Sequence, residues 1–218
     1  MKVTSVVLLL CFAILCVNSL KGVDISELFT LDTMQCFVRN GAQFAIVQAY
    51  TSYGYVDSNA LQNVKALKNL GLKTDIFMRS CRSNDPVSQV NSMMDSVPGT
   101  YYDTVWVNVE RNTNPSCDWS SYLPESNCQY LNSIAMAIIN RGKNVGFYSS
   151  VQDWTYVFKN VNACPQLSKY PIWYEYDDDM QSFNNFRSFG GWNMPSMKRY
   201  SSNYNWCGTE STNLNFRP

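Results

Sequence analysis

Residues 104–110 read TVWVNVE, a β-branched and aromatic run that ends in a carboxylate. Val, Thr and Trp favour an extended, pleated backbone, so this run is predicted to form a strand. Because side chains two apart share one face of a strand, Trp106, Asn108 and Glu110 are predicted to point one way and the valines between them the other. A strand with an apolar outer face and a polar C-terminal end is typical of a β/α barrel, where reactive groups gather at the strand ends.

Strand-like and helix-like segments alternate on both sides of this run. The other predicted strands are residues 22–26, 44–50, 73–78, 144–149, 170–176, 197–201 and 212–216, and the predicted helices begin at Asp32, Ser58, Asp85, Pro124 and Val151. Near-continuous apolar strands that alternate with amphipathic helices indicate a parallel sheet covered on both faces. We therefore predict the α/β class, with one irregular, TIM-like (β/α) barrel of about eight strands and five helices.

The N-terminal 19 residues have the pattern of a signal peptide. Lys2 precedes an apolar run from Val6 to Val17, and small or β-branched residues stand at the −3 and −1 positions of a cleavage site after Ser19. The run is shorter than the roughly 20 residues that a membrane span needs. We predict a signal peptide at 1–19, one domain at 20–218, and a protein that is secreted or lies in the lumen of a lysosome-like digestive compartment, with no membrane partner.

Composition narrows the chemistry that the chain can perform. Acidic and basic residues number 17 each, without the basic excess that is usual for a nucleic-acid binder, so no nucleic-acid partner is predicted. The chain has no histidine, which excludes Ser-His-Asp and Cys-His catalysis and His-based zinc sites. Proton transfer would fall to carboxylates or tyrosine, as in glycoside hydrolysis. No metal and no cofactor are predicted.

The cysteines indicate disulfides. Two of the eight lie in the predicted signal peptide, and an even number remains in a chain predicted to be secreted. The remaining cysteines are Cys36, Cys81, Cys117, Cys128, Cys164 and Cys207. No two are spaced as C-x-x-C, which argues against a zinc or redox motif, and their pairing is left open by the sequence.

Carboxylates fall at the ends of several predicted strands. Asp24 ends the first strand, Glu110 ends the fourth, and the run Asp177–Asp179 follows the sixth. Each also has a structural interpretation. Asp24 is consistent with an Asx turn or a helix cap, and the aspartate run with a solvated loop. Glu110 is consistent with an ion pair to Arg79 or Arg111.

Aromatic residues near strand ends are candidate platforms for sugar rings. They are Tyr50, Tyr148, Trp173 and Tyr174. The alternative for each is a position in the hydrophobic core. Asn108, a polar residue that points inward, is alternatively a hydrogen-bonded spacer.

An ordered set of short motifs spans almost all of residues 20–218. They are GVDIS at 22–26, YTSYGYVD at 50–57, GLKTD at 71–75, VWVNVE at 105–110, GFYSS at 146–150, WY at 173–174, FGGW at 189–192, CG at 207–208 and LN at 214–215. In this order they resemble the lysozymes of glycoside hydrolase family 25, of the kind found in nematodes and amoebae.

The resemblance implies cleavage of peptidoglycan after N-acetylmuramic acid, with retention of configuration. It makes Glu110 the general acid that protonates the leaving oxygen, and Asp24 a second catalytic residue in the surrounding ring of acids. The carboxylate two residues before the general acid stabilises the intermediate that forms when the N-acetyl group of the substrate attacks, a substrate-assisted route.

The chain departs from the family pattern at several of these positions. Asn108 and Asn213 stand where the family has aspartate, so two acidic positions are degenerate. Asn203, Gln48 and Tyr176 replace the frequent Asp, Arg or Lys, and His. Fewer carboxylates give less stabilisation of a positive transition state and less upward pressure on the pKa of Glu110.

Two functions follow from this comparison. The first is a secreted, monomeric muramidase of weakened activity that digests bacteria or serves innate defence. The second is a catalytically inactive homologue that binds peptidoglycan or related N-acetylated glycans. A third, a secreted scaffold with an unrelated partner, has no sequence feature in its favour.

Overall fold

The computed structural model describes residues 19–218, apart from the side chains of residues 210 and 211. The predicted signal peptide therefore lies, except for Ser19, outside the described residues. Among those described, no helix has the length and apolar character that crossing a membrane requires.

In the described part of the chain, eight strands close into one barrel in chain order. The strands are β1 (Leu20–Ile25), β2 (Phe44–Tyr50), β3 (Lys73–Met78), β4 (Thr104–Asn108), β5 (Asn144–Ser149), β6 (Ile172–Glu175), β7 (Met197–Trp206) and β8 (Thr209–Arg217). Neighbours from β1 to β7 pair in parallel, whereas β8 is antiparallel to both β7 and β1. The predicted α/β barrel is confirmed, and its irregularity lies in this last strand.

Five α-helices surround the barrel in the same described range. They are α1 (Leu31–Arg39), α2 (Ala60–Asn69), α3 (Pro86–Ser96), α4 (Pro124–Asn140) and α5 (Val151–Phe158). Asp85 caps α3 by accepting a hydrogen bond from the Ser88 N–H, as its position before Pro86 predicts. The predicted start of α1 is corrected, because Thr30 caps it through the Thr33 N–H and Asp32 lies in the first turn.

Other predicted boundaries also move. Helix α2 begins at Ala60, after Asn59 rather than Ser58. The last two strands are longer than predicted and form a hairpin whose tip, Cys207-Gly208, has positive φ at both residues. Residues 202–211, which lengthen the two strands, are mostly polar, so the hydrophobic alternation that marks a strand is absent there and backbone pairing stabilises this part of the hairpin.

Strand β4 divides its side chains between two apolar layers, as its alternation predicts. Trp106 packs inside the barrel in a cluster with Phe77, Tyr148 and Trp173. The intervening valines of residues 105–109 are fully buried in the larger layer between the barrel and the helices. The inward face of the strand therefore leads from an aromatic interior to the polar residues at its C-terminal end.

Three disulfides join the six predicted cysteines. The pairs are Cys36–Cys207, Cys81–Cys117 and Cys128–Cys164. The first ties α1 to the tip of the β7–β8 hairpin, across a sequence separation of 171 residues. The second joins the loop after β3 to the loop after β4, and the third joins α4 to the segment between α5 and β6. The C-terminal end of the barrel is called the barrel mouth below.

Candidate active site

The barrel mouth carries a cluster of inward-facing charges one layer above the aromatic interior. This mouth cluster consists of Asp24, Arg79, Glu110, Glu175 and Arg199, which lie on or directly after β1, β3, β4, β6 and β7. Parallel strands direct their C-terminal ends to the same side of the barrel, which is why residues so distant in sequence meet there. The cluster contains three carboxylates and two guanidinium groups.

Glu110 has an ion-pair partner on the neighbouring strand, because Arg79 follows β3 directly. Its Oε1 lies 2.9 Å from Arg79 Nε, and its side chain keeps 20% of its accessible surface. The contact is an ion pair without hydrogen-bond geometry, because Arg79 Nε makes no hydrogen bond within the described residues. Of the two arginines that sequence offered as partners, Arg111 is occupied elsewhere, 4.2 Å from the ring of Tyr156.

Opposing effects set the protonation of Glu110. Burial raises the pKa of its carboxyl above the ordinary value of 4.5, whereas the positive charges of Arg79 and Arg199 lower it. The effect of burial is the larger, so the net shift is upward. A raised pKa favours the protonated form that a general acid must have before it reacts.

Asp24 is held in a hydrogen-bonded ion pair rather than in an Asx turn or a cap. Its two oxygens accept from Arg199 Nε at 3.3 Å and Nη2 at 3.2 Å. The amides of Asn213 and Asn215 also donate to it, at 2.8 and 2.7 Å. With only 2% of its surface exposed, Asp24 is enclosed by these partners.

Arg199 lies at the centre of the mouth cluster, and the sequence did not predict it as a site residue. Its Nη1 is 3.3 Å from Glu175 Oε1, and its guanidinium lies 4.7 Å from the centre of the Tyr148 ring. Burial lowers the pKa of Arg199, but Asp24, Tyr148 and the other acids around it outweigh that effect and raise it. The only signal in the sequence was the inward alternation from Met197 to Arg199.

Asn108 is buried directly below Glu110 on the same face of the chain. It is 2% exposed, and neither side-chain atom, Oδ1 or Nδ2, has a hydrogen-bond partner within the described residues. It is therefore not the hydrogen-bonded spacer that the sequence allowed. A buried amide without partners costs about 1–3 kcal/mol unless water or a ligand bonds to it.

Two cavities open at the barrel mouth. The first has a volume of about 130 Å³, and Arg79, Asn108 and Glu110 are among its walls. The second has about 620 Å³ and lies at the ends of β5 and β6, against Asp153, Glu175 and Arg187. A volume of several hundred Å³ is in the range of small-molecule sites, so the second cavity has room for a sugar ring.

The predicted aromatic platforms are corrected by the structure. Tyr50, Tyr148, Trp173 and Tyr174 are all buried, with at most 3% of their surface exposed. Tyr148 and Trp173 fill the barrel interior, which forces them inward. A ring with both faces packed against protein cannot stack on a sugar, although Tyr174 contributes to a wall of the second cavity. These four residues therefore belong to the core.

Exposed aromatic residues lie in the loop after β2 and the segment after β6. Tyr53 and Tyr55 are 61% and 57% exposed, and their rings stack at 6.1 Å between centroids. Tyr176 is 50% exposed and lines the second cavity. The preceding residue, Glu175, was also missed, although its inward direction follows from Trp173 by alternation.

The remaining polar candidates are held by contacts within the chain, and one of them, Asp177, also lines the second cavity. Asp178 pairs with the fully buried Lys198 at 2.7 Å, and Asp177 accepts a hydrogen bond from the Ser202 N–H. The aspartate run is therefore a loop held by these contacts. Gln48 donates to Asp57 at 2.8 Å. In the range 19–218, no group of three or more Cys, Asp or Glu side chains is arranged to hold a metal ion.

Comparisons with known proteins agree with this architecture. A family model described as "Lysozyme-like protein 1" matches residues 17–200. "Probable GH family 25 lysozyme 2" of Dictyostelium discoideum is 30% identical over 206 residues, which cover 93% of this chain and 92% of that protein. "Lysozyme-like protein 5" of Caenorhabditis elegans is 28% identical over 206 residues, 91% of each chain.

Solved structures share the fold at lower identity. The GH25 lysozyme of Aspergillus fumigatus superposes with a TM-score of 0.74 at 12% identity, over 92% of this chain and 94% of that one. The bacterial lysozyme of Streptomyces coelicolor gives the same TM-score at 14% identity, over 90% of each chain. At such identities the likeness concerns the fold of the barrel.

Proposed function

Because the chain belongs to the glycoside hydrolase family 25 lysozymes, we propose that it is a secreted muramidase that hydrolyses peptidoglycan beside N-acetylmuramic acid. Glu110 is its general acid. The observation that carries the proposal is the position of Glu110 in a cavity wall at the barrel mouth, with a carboxyl pKa raised by burial.

The reaction begins with proton transfer from Glu110. As the bond between the anomeric carbon and the leaving oxygen breaks, the Glu110 carboxyl gives its proton to that oxygen. The N-acetyl oxygen of the substrate bonds to the anomeric carbon, as in the substrate-assisted route. Water then attacks that carbon and gives a proton to the Glu110 carboxylate, while the bond from the N-acetyl oxygen to the carbon breaks. The acid and the N-acetyl group are restored, and one water has been added across the glycosidic bond.

Two features of the site reduce the expected rate. Asn108 offers a neutral amide below Glu110, where a carboxylate would stabilise positive charge on the sugar. The Arg79 guanidinium lowers the pKa of Glu110 against the effect of burial. We therefore propose a slow enzyme, in which proton donation is retained and charge stabilisation is reduced.

Wall hydrolysis by the Glu110→Gln variant tests this proposal. The wild-type protein is expected to release reducing sugars from bacterial cell walls, and the variant to release none above background across the pH range. Glu125→Gln, the same change at an exposed position in the first turn of α4, is the matched control and should behave as wild type. A wild-type protein without reducing-sugar release at any pH rules out the hydrolase.

The second candidate function is glycan binding without hydrolysis. The ion pair between Arg79 and Glu110 and the missing carboxylate at Asn108 favour it. It requires that the protein co-sediment with insoluble peptidoglycan or chitin while releasing no reducing sugar. Failure to bind either material, under conditions in which an active family member binds, would exclude it.

Secretion and a monomeric state complete the proposal. The sequence of residues 1–19 supports cleavage after Ser19. Expression of the full chain in a secreting host should yield a protein in the medium whose N-terminus is Leu20, and light scattering should give the mass of one chain. Such a protein would encounter bacteria outside the cell or in a digestive compartment, in digestion or in defence.

A further inference from the structure

Strand register places Glu110 and Glu175 at corresponding positions beyond the aromatic interior of the barrel. Asn108 of β4 pairs with Tyr148 of β5, which pairs with Trp173 of β6. Glu110 lies two residues after Asn108, and Glu175 lies two residues after Trp173. Pairing with β5 continues one residue past the end of β4, because the Val109 N–H donates to the Tyr148 carbonyl at 2.8 Å, and the chain bends at Glu110.

The span between the two carboxylates suits a sugar between them. Neighbouring strands are about 4.8 Å apart, so β4 and β6 are separated by about 10 Å with β5 between them. Both side chains point into the barrel, so their carboxyl groups are closer together than the two strands. Glycoside hydrolases hold their two working carboxyl groups about 5 to 9.5 Å apart.

The surroundings of Glu175 leave one of its oxygens for a ligand. Oε1 lies 3.3 Å from Arg199 Nη1, and in the described part of the chain this is its one hydrogen bond. The side chain is 26% exposed and lines the second cavity, the larger of the two at the mouth. The Arg199 contact fixes the carboxylate on the cavity wall, while the other oxygen faces no described hydrogen-bond donor.

A second observation points to a ligand at the barrel mouth. Asn108, 2% exposed and without hydrogen-bond partners among the described residues, lies in the wall of the first cavity with Glu110. A ligand that enters the mouth would satisfy this amide. It would then lie between the acid on β4 and the carboxylate on β6.

We propose that Glu175 is a catalytic residue of this site, whose carboxylate supplies, from the opposite side of the sugar, the negative charge that Asn108 lacks. The inference rests on the proposed function for the identity of the sugar. As the glycosidic bond breaks, positive charge grows on the anomeric carbon and the N-acetyl group. Glu175 stabilises that charge without transferring a proton or forming a bond.

Binding of a charged sugar mimic tests the inference without turnover. The probes are the protonated iminosugar 2-acetamido-1,2-dideoxynojirimycin and the neutral lactam with the same ring substituents, measured by calorimetry. Glu175→Gln should weaken binding of the iminosugar about tenfold and change binding of the lactam less than twofold. Asp95→Asn, which removes a negative charge from the exposed Asp95–Arg141 pair on the surface, should change neither.

Hydrolysis of cell walls gives the second arm. Glu175→Gln should lower kcat about a hundredfold with little change in KM, since the lost interaction forms only as charge develops. Adding Asn108→Asp to that variant should raise its kcat at least tenfold, because the new carboxylate on β4 supplies the negative charge that Glu175→Gln removes.

The outcomes separate this inference from the proposed function. Selective weakening of iminosugar binding together with absent wall hydrolysis would support the charge role of Glu175 and reject the muramidase. An active wild-type protein whose rate is unchanged by Glu175→Gln would overturn the inference and keep the muramidase. Equal weakening of both probes, no iminosugar binding by the wild type, or no recovery by Asn108→Asp would also overturn it.

Discussion

At the scale of single residues, the site is a balance of charges around Glu110. Burial raises the pKa of that carboxyl, and Arg79 and Arg199 lower it. Asp24 and Glu175 in turn share the charge of Arg199. The strength of the acid therefore depends on which of these partners is present, and each can be removed separately.

Arg79→Gln should move the alkaline limb of the activity profile to higher pH. A general acid works while protonated, so activity falls as pH rises through the pKa of Glu110. Arg79 lowers that pKa, and its removal raises it. The measurement is kcat/KM against pH, with Arg111→Gln as the comparison in the same cavity. A limb that stays in place or moves to lower pH would contradict the assignment.

Asn108→Asp should increase the rate of wall hydrolysis about tenfold, as an added carboxylate stabilises positive charge at the mouth. Asn213→Asp should act differently. The Asn213 amide donates to Asp24 at 2.8 Å, and a carboxylate there would repel Asp24 and destabilise the fold. Wall assays and thermal unfolding of both variants measure this difference. An Asn108→Asp variant that folds normally and hydrolyses cell walls no faster than the wild type would contradict this prediction.

Alternation along β4 was sufficient to predict that Glu110 and Asn108 face inward at a strand end. It was insufficient for Arg199, whose importance comes from contacts with Asp24 and Glu175, on strands distant in sequence. The aromatic candidates failed for a related reason. Proximity to a strand end does not determine exposure, and Tyr148 and Trp173 are drawn into the barrel interior.

At the scale of elements, the helices and strands follow local signals where packing is amphipathic. Strand β3 has the predicted bounds, and helix α4 begins at the predicted Pro124. Local signals gave wrong boundaries at α1, at α2 and at the β7–β8 hairpin. At α1, Thr30 and Asp32 lie two residues apart and both have side chains that can cap a helix, and residues 202–211 of the hairpin are mostly polar and pair through their backbones.

Thr30→Ala should lower the free energy of unfolding by about 1 kcal/mol, the usual effect of losing an N-cap hydroxyl. Asp32→Asn, at the position that the sequence favoured as the cap, should cost only a few tenths through the helix dipole. Urea unfolding of both variants measures the two effects. If Asp32→Asn proved the more damaging, the capping of α1 described above would be incorrect.

At the scale of the whole molecule, the charge cluster also helps to close the barrel. Arg199 of β7 pairs with Asp24 of β1 and with Glu175 of β6, and β8 runs antiparallel between β7 and β1. The alternation of strands and helices was sufficient to predict the barrel class, but not the reversed last strand. That direction depends on a short hairpin in place of a crossover helix.

Arg199→Met should lower the free energy of unfolding by about 3–5 kcal/mol, because it leaves the buried Asp24 carboxylate without its counter-ion. The double variant Arg199→Met/Asp24→Asn is expected to regain most of the stability, because it removes the uncompensated charge as well. Denaturant unfolding of the wild type and both variants checks this, and a double variant no more stable than Arg199→Met would be inconsistent with it.

If this barrel cleaves peptidoglycan with Glu110 as the acid, the products reveal which bond was cut. Purified peptidoglycan is digested, and the soluble fragments are reduced with borohydride and identified by mass spectrometry. We expect fragments that end in reduced N-acetylmuramic acid from the wild-type protein and from Glu125→Gln, and none from Glu110→Gln. Fragments with another reducing end, or equal release by Glu110→Gln, would contradict it.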